Sequence, residues 1–313
     1  MLDRRQWLAL TAALSLTAIA PAAQAQEKLP VVASFSVLGD FVQQIGKDRV
    51  TVTMLVGPDG DAHVYSPTPA DAKTLANAKL AIVNGLKFEG WLNRLVKSSG
   101  TKAAVEIATT GISPLEAEDD HDHAKAGHAH GHDHAGVDPH AWQSVANAKI
   151  YATNIRDALI KADPAGKAEY EANATAYRAE LDRLEDEIKA AIARIAVERR
   201  RAITSHDAFG YFVKAYGIRF IAPQGVSTEA EASARDVARI IRQVKAEKVP
   251  AVFLENVSNP RLVEQIAKES GAKIGGRLYS DALSKADGPA ATYIAMMKHN
   301  ISQIEKALAT GPV

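Results

Sequence analysis

Short apolar runs alternate with helix-like patterns along most of the chain. In the first half, the predicted buried strands are residues 31–35, 50–56, 80–83 and 103–107, and the predicted helices between them are 37–45 and 69–78. In the second half, strands are predicted at 202–205, 218–221, 251–254 and 273–274, and helices at 234–245 and 260–270. Strands that alternate with helices predict parallel βαβ units. We therefore expect an α/β fold with two similar lobes, each a parallel sheet flanked by helices.

Two helical patterns separate the halves. The first covers residues 145–161. The second runs from about residue 164 to 196, with Asp163 as its expected N-cap and Pro164 at its first helical position. Apolar residues follow the helical period along one face of the second pattern, at Tyr170, Ala174, Tyr177, Leu181, Leu184, Ile188 and Ile192. A long rigid helix that joins the lobes is predicted, and the alternative is that this helix belongs to one domain.

The expected domains are a signal peptide at 1–25, an amino-terminal lobe at 26–163, a linker helix at 164–197 and a carboxy-terminal lobe at 198–313. Arg4 and Arg5, the apolar run 7–20 and the small-residue sequence 23–25 indicate the cleavable signal peptide. The apolar run is shorter than the about 20 residues that a transmembrane helix needs. The paired arginines leave twin-arginine export and general secretion both open.

The amino-acid composition indicates the cellular compartment of the protein and excludes some classes of partner. Lys plus Arg and Asp plus Glu both number 37 among 313 residues, so no overall charge attracts nucleic acid or an acidic membrane. The sequence has no cysteine, so stability must come from the core rather than from disulfides. Because lipidation at a signal cleavage site requires a cysteine, we expect a protein that diffuses freely in a periplasm and is not a lipoprotein. We also expect a monomer.

Residues 116–136 interrupt the alternating pattern with a polar tract that is typical of a flexible surface loop. The tract contains six of the ten histidines: His121, His123, His128, His130, His132 and His134. Closely spaced imidazoles on a flexible backbone are candidates for weak, exchangeable metal sites. The hypothesis is that the tract raises the local metal concentration, or accepts the metal from a donor protein, and passes it to a main site; the alternative is a dispensable tract with incidental affinity.

The other four histidines are widely spaced. His206 ends an apolar strand and His63 follows another strand through a turn, which are positions where α/β folds place ligands. His140 lies in a turn, whereas His299 lies in a helical pattern without a companion ligand and is interpreted as a surface residue. The spacing matches no short zinc motif, so taken singly each histidine is more often structural than a ligand.

Four segments together resemble the ligand blocks of the periplasmic zinc and manganese receptors of ABC importers. They are residues 61–67 (DAHVYSP), 138–142 (DPHAW), 205–212 (SHDAFGYF) and 279–283 (YSDAL). The resemblance covers essentially the whole mature chain and is greatest to the zinc receptors that have a histidine-rich loop. It implies that His63, His140, His206 and Asp281 hold one metal ion in the cleft between the lobes. One departure is Ala232, where the family commonly has proline after Thr-Glu-Ala-Glu.

Three imidazoles and one carboxylate are the borderline donors that zinc prefers. The resemblance therefore implies a receptor that binds one Zn(II) tightly and delivers it to the permease of an ABC importer. Asp207, Glu229 and Glu255 stand at loop or strand ends and are candidates to orient the ligand imidazoles. The alternative, which is favoured for each of them, is a structural or solvated carboxylate. Because imidazoles must be neutral to bind, we expect the affinity to fall below about pH 6.5.

Other functions remain as alternatives. A manganese or iron receptor of the same family, and a periplasmic zinc chaperone or buffer without a transporter, are both compatible with the sequence. A zinc hydrolase is disfavoured because four protein ligands leave no coordination position for water. No His-Glu-x-x-His or Gly-x-Ser-x-Gly motif is present either. We therefore expect that the chain is not an enzyme.

Overall fold

The computed structural model describes residues 27–117 and 136–309. The amino-terminal lobe contains a parallel sheet with the strand order β2-β1-β3-β4. Its strands are β1 (Leu29–Phe35), β2 (Val50–Val56), β3 (Leu80–Val83) and β4 (Ala104–Ile107), and its first helices are α1 (Ser36–Gly46), α2 (Pro69–Asn77) and α3 (Leu92–Ser99). A short antiparallel pair, β5 (Leu115–Glu116) and β6 (Val137–Asp138), follows.

The carboxy-terminal lobe contains a second parallel sheet with the order β10-β9-β7-β8. Its strands are β7 (Arg201–Ile203), β8 (Arg219–Ile221), β9 (Ala251–Glu255) and β10 (Lys273–Leu278), and its helices are α6 (Gly210–Tyr216), α7 (Ala234–Glu247), α8 (Pro260–Ser270) and α9 (Tyr293–Leu308). The predicted α/β fold with two parallel sheets flanked by helices is confirmed. Strand β10 is longer than predicted, since it continues through the glycine pair Gly275-Gly276 with an irregular register.

Local signals explain several element boundaries. Thr68 caps α2 through a reciprocal pair of hydrogen bonds with Asp71, and Pro69 occupies the first turn, where its missing N–H costs nothing. Asn259 caps the amino-terminal end of α8 by accepting a hydrogen bond from the Arg261 N–H, and Gly271 ends the helix with a left-handed φ of 81°. These residues restrict where each helix starts and stops, so the strands that follow begin at defined positions.

Helix α5 (Lys167–Ala193) has 27 residues and follows α4 (Val145–Ala162). Every apolar residue predicted to form its buried face is buried. That face packs against α1 and α4 of the amino-terminal lobe and against α9 of the carboxy-terminal lobe. The long helix therefore contacts both lobes.

The side chain of Asp163 differs from the prediction, because it does not cap the helix. Its carboxylate instead accepts hydrogen bonds from Arg49 Nε at 3.0 Å, from Arg49 Nη2 at 2.8 Å and from the Tyr170 hydroxyl at 2.8 Å. Charged donors compete successfully with a backbone N–H for a carboxylate. Residues Pro164–Gly166 accordingly form a separate 3-10 turn, and α5 begins three residues later than its predicted start.

The two lobes meet where the loops at the carboxyl ends of their strands face each other. Ser36 Oγ accepts a hydrogen bond from the Leu283 N–H at 2.9 Å, and Trp142 Nε1 donates to the Ser280 carbonyl at 2.8 Å. One continuous apolar core includes residues of both lobes, and a second core lies within the carboxy-terminal lobe. Among the helices of the described residues, none combines the length and the apolar character required to cross a bilayer.

Candidate metal centre

The four side chains predicted to bind metal converge between the lobes. His63 lies beyond the end of β2 and His140 beyond β6, whereas His206 follows β7 and Asp281 follows β10. His63 is 7% exposed and the other three are fully buried. The parallel strands bring His63, His206 and Asp281 to the edges where the two sheets face each other. His140 joins them from the loop after the antiparallel pair β5-β6.

The donor atoms of these residues have the spacing of a metal site. His63 Nε2 lies 3.3 Å from His140 Nε2 and 3.3 Å from Asp281 Oδ2, and His206 Nε2 lies 3.0 Å from Asp281 Oδ2. One donor atom from each residue lies within 4.8 Å of all the others. A tetrahedron with metal–ligand distances of about 2.0–2.2 Å has edges of about 3.3–3.6 Å. Several of the observed separations are close to that edge length.

Asp138 orients His140. Its Oδ1 accepts a hydrogen bond from the His140 backbone N–H at 2.9 Å and lies 2.8 Å from His140 Nδ1. The carboxylate therefore favours a proton on Nδ1 and leaves Nε2 for the metal. A Cβ atom at Gly210 would clash with this carboxylate, so glycine at the start of α6 permits the close approach. The sequence analysis missed this role, although the signal was an aspartate two residues before a ligand histidine.

Glu255 performs the same task for His206. Its Oε2 lies 2.8 Å from His206 Nδ1, and its Oε1 accepts hydrogen bonds from the N–H groups of Ser205 at 2.6 Å and His206 at 3.0 Å. One buried carboxylate thus fixes both the ring and the backbone of this ligand. Glu255 was one of three candidates for this role in the sequence, where a structural or solvated carboxylate was the favoured interpretation.

The other two candidates for orienting a ligand are Glu229 and Asp207. The Glu229 side chain is exposed, and its residue is held by a backbone hydrogen bond to Ser227 Oγ. Asp207 is half-buried and lines a cavity of about 900 Å³ that Asp138 also lines.

The remaining histidines do not join the cluster in the described residues. His299 is half-buried rather than a plain surface residue, because its Nε2 lies 3.0 Å from the Arg277 carbonyl and its ring packs edge-on against Tyr279. The six histidines of the polar tract, His121, His123, His128, His130, His132 and His134, lie outside the described residues, as does the predicted signal peptide.

Burial and charge set the protonation of the cluster. Burial alone lowers the pKa of His140, but the carboxylates of Asp281 and Asp138 raise it to about 9. For His206, burial also lowers the pKa, and the charges of Glu255 and Asp281 raise it well above the usual histidine value. Burial raises the pKa of Asp281, but the two imidazoles hold it well below its usual range. Without metal, the His140 and His206 imidazoles are therefore protonated beside the ionised Asp281 carboxylate, and a divalent cation can take the place of these protons.

Comparisons with known proteins agree with this geometry. Residues 31–307 match the family described as zinc-uptake complex component A, periplasmic. The manganese-binding lipoprotein MntA of Halalkalibacterium halodurans is 35% identical over 284 residues, which cover 90% of this chain and 89% of that protein. The iron-binding protein YfeA of Yersinia pestis is 32% identical over 281 residues, which cover 90% of this chain and 86% of that protein.

Solved structures show the same fold. The periplasmic zinc-binding protein TroA of Treponema pallidum superimposes with a TM-score of 0.82 and 31% identity, over 91% of this chain and all of that one. A manganese-bound mutant of the periplasmic metal-binding protein of Candidatus Liberibacter asiaticus gives a TM-score of 0.80 and 34% identity, over 90% of this chain and all of that one. This chain belongs to the family of zinc-uptake complex component A, the extracytoplasmic metal-binding receptors of ABC importers.

Proposed function

We propose that this chain captures Zn(II) with His63, His140, His206 and Asp281 and delivers it to the permease of an ABC importer. The observation that carries the proposal is the donor set itself, which offers three imidazole nitrogens and one carboxylate in a buried cluster. The names of the relatives include manganese, iron and zinc, so the metal must be inferred from the residues of this chain.

Nitrogen-rich donor sets favour zinc over manganese. Manganese is bound more weakly than zinc by most ligand sets and prefers additional oxygen ligands, whereas zinc prefers four ligands in a tetrahedron. Two further carboxylates lie near the cluster, but Asp138 and Glu255 are each 2.8 Å from the Nδ1 atom of a ligand histidine. Both carboxylates are therefore engaged behind the imidazoles, where they support nitrogen ligands.

The position of the cluster suggests how capture is coupled to handover. Two ligands come from the amino-terminal lobe and two from the carboxy-terminal lobe, so a bound ion links the lobes. A ligand that binds one arrangement of the lobes better than another shifts the population toward it. The metal-bound arrangement is then the form that docks on the permease, and release requires the permease to separate the two pairs of ligands.

The finer expectations from the sequence belong to the same proposal. The first is a division into lobes at 26–163 and 198–313 with a linker at 164–197. The second is that the histidine-rich tract binds zinc weakly and that a periplasmic chaperone donates zinc to the protein. The third is that the protein is a monomer and is free in the periplasm. The absence of cysteine from this sequence supports the free form, although several relatives are named lipoproteins. Fractionation of cells into periplasm and membrane tests it.

Metal competition tests the proposed selectivity. The protein is stripped of metal, and its affinities for Zn(II), Mn(II) and Fe(II) are measured against chelators of known affinity. We expect one tight site that prefers zinc, and we expect His206→Glu to shift the preference toward manganese because it replaces a nitrogen ligand with oxygen. His299→Gln is the matched control, since His299 bonds to the Arg277 carbonyl outside the cluster. Tighter binding of manganese than of zinc by the unmodified protein would refute the proposal.

A further inference from the structure

The segment between β3 and α3, residues 84–91, contacts both metal histidines of the amino-terminal lobe without supplying a ligand. Phe88 is only 2% exposed. Its ring centroid lies 4.7 Å from that of His63 and 6.0 Å from that of His140, with both rings edge-on. The aromatic ring therefore forms one wall behind the two imidazoles.

The backbone of this segment has an unusual conformation. Gly85, Leu86 and Lys87 have consecutive positive φ angles of 83°, 52° and 65°. Residues other than glycine rarely adopt this left-handed region, because Cβ approaches the following carbonyl oxygen. Such a turn persists only where surrounding interactions hold it.

A buried carboxylate supplies those interactions. Glu89 is 7% exposed, and its side chain accepts hydrogen bonds from Ser34 Oγ at 2.6 Å, from the Asn84 N–H at 2.6 Å and from the Gly85 N–H at 3.2 Å. Ser34 lies near the end of β1 and Asn84 directly follows β3, the neighbouring strand. Glu89 therefore ties the left-handed turn to the edge of the sheet that faces the metal cluster.

Two hydrogen bonds connect the segment to the loops that carry the ligands. Trp91 Nε1 donates to the carbonyl of Ala62, which precedes His63, at 2.8 Å. Asn84 Nδ2 donates to the carbonyl of Pro139, which precedes His140, at 2.9 Å. The same segment thus holds the backbone next to each of these histidines and packs Phe88 against both rings.

We propose that Glu89 is a positioning residue of the metal centre, which sets the separation of His63 and His140 by holding segment 84–91 in its left-handed turn. The proposal rests on the proposed function, because it assigns the positioning of two of the four metal ligands. Glu89 is not one of the four clustered donor residues, and it acts through Asn84, Phe88 and Trp91. Replacing its carboxylate changes the shape of the site without removing a ligand.

The variant Glu89→Gln tests this role, because it keeps the size of the side chain but places an amide N–H₂ against donors that need an acceptor. We expect zinc affinity to fall by about 10–100-fold, as for other groups that orient metal ligands. We also expect a changed visible absorption spectrum of the Co(II)-loaded protein, which reports ligand geometry. The matched control is Asp163→Asn, which replaces another hydrogen-bonded carboxylate, at the start of the long helix. The control should lower the melting temperature and leave affinity and spectrum unchanged.

Wild-type zinc affinity together with an unchanged Co(II) spectrum in Glu89→Gln would overturn the proposal, whatever the melting temperature. If that variant does not fold, Trp91→Phe decides the question, since it removes the hydrogen bond to Ala62 and part of the buried ring without changing a metal ligand. The expected loss is then about fivefold in affinity, as for one neutral hydrogen bond, and an unchanged affinity would refute the positioning role. If the unmodified protein prefers another metal, the proposed zinc function fails separately, and the same comparison is made with the preferred metal.

Discussion

Metal binding should expel protons from the cluster, and the number of protons can be worked out from the structure. His140 is fully buried, and the carboxylates of Asp281 and Asp138 raise its pKa to about 9 although burial alone would lower it. The charges of Glu255 and Asp281 also raise the pKa of His206, against the effect of burial. Both imidazoles therefore carry a proton at pH 7 in the metal-free protein, and both must lose it before Nε2 can bind a metal.

The cost of this exchange follows from the pKa. At pH 7 a group with a pKa of about 9 is protonated in about 99% of molecules, and removing its proton costs about 2.7 kcal/mol, or about 100-fold in apparent affinity. Affinity should thus rise about tenfold per pH unit for each proton released, up to about pH 9. This pH range lies well above the value of about 6.5 expected from an unperturbed histidine. The difference arises because the sequence does not show how many carboxylates surround each imidazole.

Isothermal titration calorimetry measures the protons directly. Zinc is titrated into metal-free protein at pH 7 in several buffers with different enthalpies of ionisation, and the slope of the observed enthalpy against the buffer enthalpy gives the number of protons released. We expect about two protons to be released for each zinc bound, one from His140 and one from His206. Competition with a chelator between pH 6 and pH 9 provides an independent measurement of the same number.

A variant separates this explanation from general effects of pH. Asp138→Asn removes one of the two carboxylates that raise the pKa of His140, so fewer protons should be released at pH 7. His299→Gln should leave the proton count unchanged. An observed enthalpy that does not depend on the buffer, or an affinity that stays flat from pH 7 to pH 9, would refute the reasoning.

Three further predictions concern other contacts. Glu255→Gln leaves His206 without its orienting carboxylate, and chelator competition should show an affinity loss of about 10–100-fold with an unchanged circular dichroism spectrum. Arg49→Ala breaks the hydrogen bonds to Asp163, so denaturant titration should show a loss of about 1–3 kcal/mol in unfolding free energy, whereas reduced zinc affinity would contradict a purely structural role. Thr228→Ala removes the 2.7 Å hydrogen bond to Asp61 that links the lobes beside the site. Stopped-flow chelation should then show zinc release that is faster by about fivefold. An unchanged release rate would show that this hydrogen bond does not slow the release of zinc.

For the histidine-rich tract, the amino-acid composition predicts only part of the function. Its six imidazoles predict metal affinity, but they predict neither where zinc from the tract would go nor whether transfer to the cluster occurs. Deletion of residues 117–135 separates the two interpretations. Unchanged affinity, loading rate and transfer from a donor would favour an incidental tract.

The amino-acid pattern alone predicted the strands of the two four-stranded sheets, the helices α1, α2, α4, α7 and α8 and the buried face of α5, because hydrophobic periodicity and capping residues act over a few neighbouring positions. It did not predict the strands β5 and β6 or the helices α3 and α6, and it indicated only the part of α9 around His299. The four ligand blocks were also visible in the sequence, through their resemblance to a family of metal receptors. The sequence was less informative where several local partners compete. Asp163 was expected to cap a helix, yet the distant Arg49 takes its carboxylate.

Only the tertiary structure decided the chemistry of the cluster. Residues separated by 75–77 positions come within about 3 Å of each other in the pairs His63–His140 and His206–Asp281. Asp138 and Glu89 owe their roles to neighbours that the fold supplies. Proton affinity and ligand geometry depend on burial and on charges a few ångströms away, and these are set by how the two lobes pack. The sequence therefore determined which donor atoms are available, and the packing of the lobes determined how they are oriented and protonated.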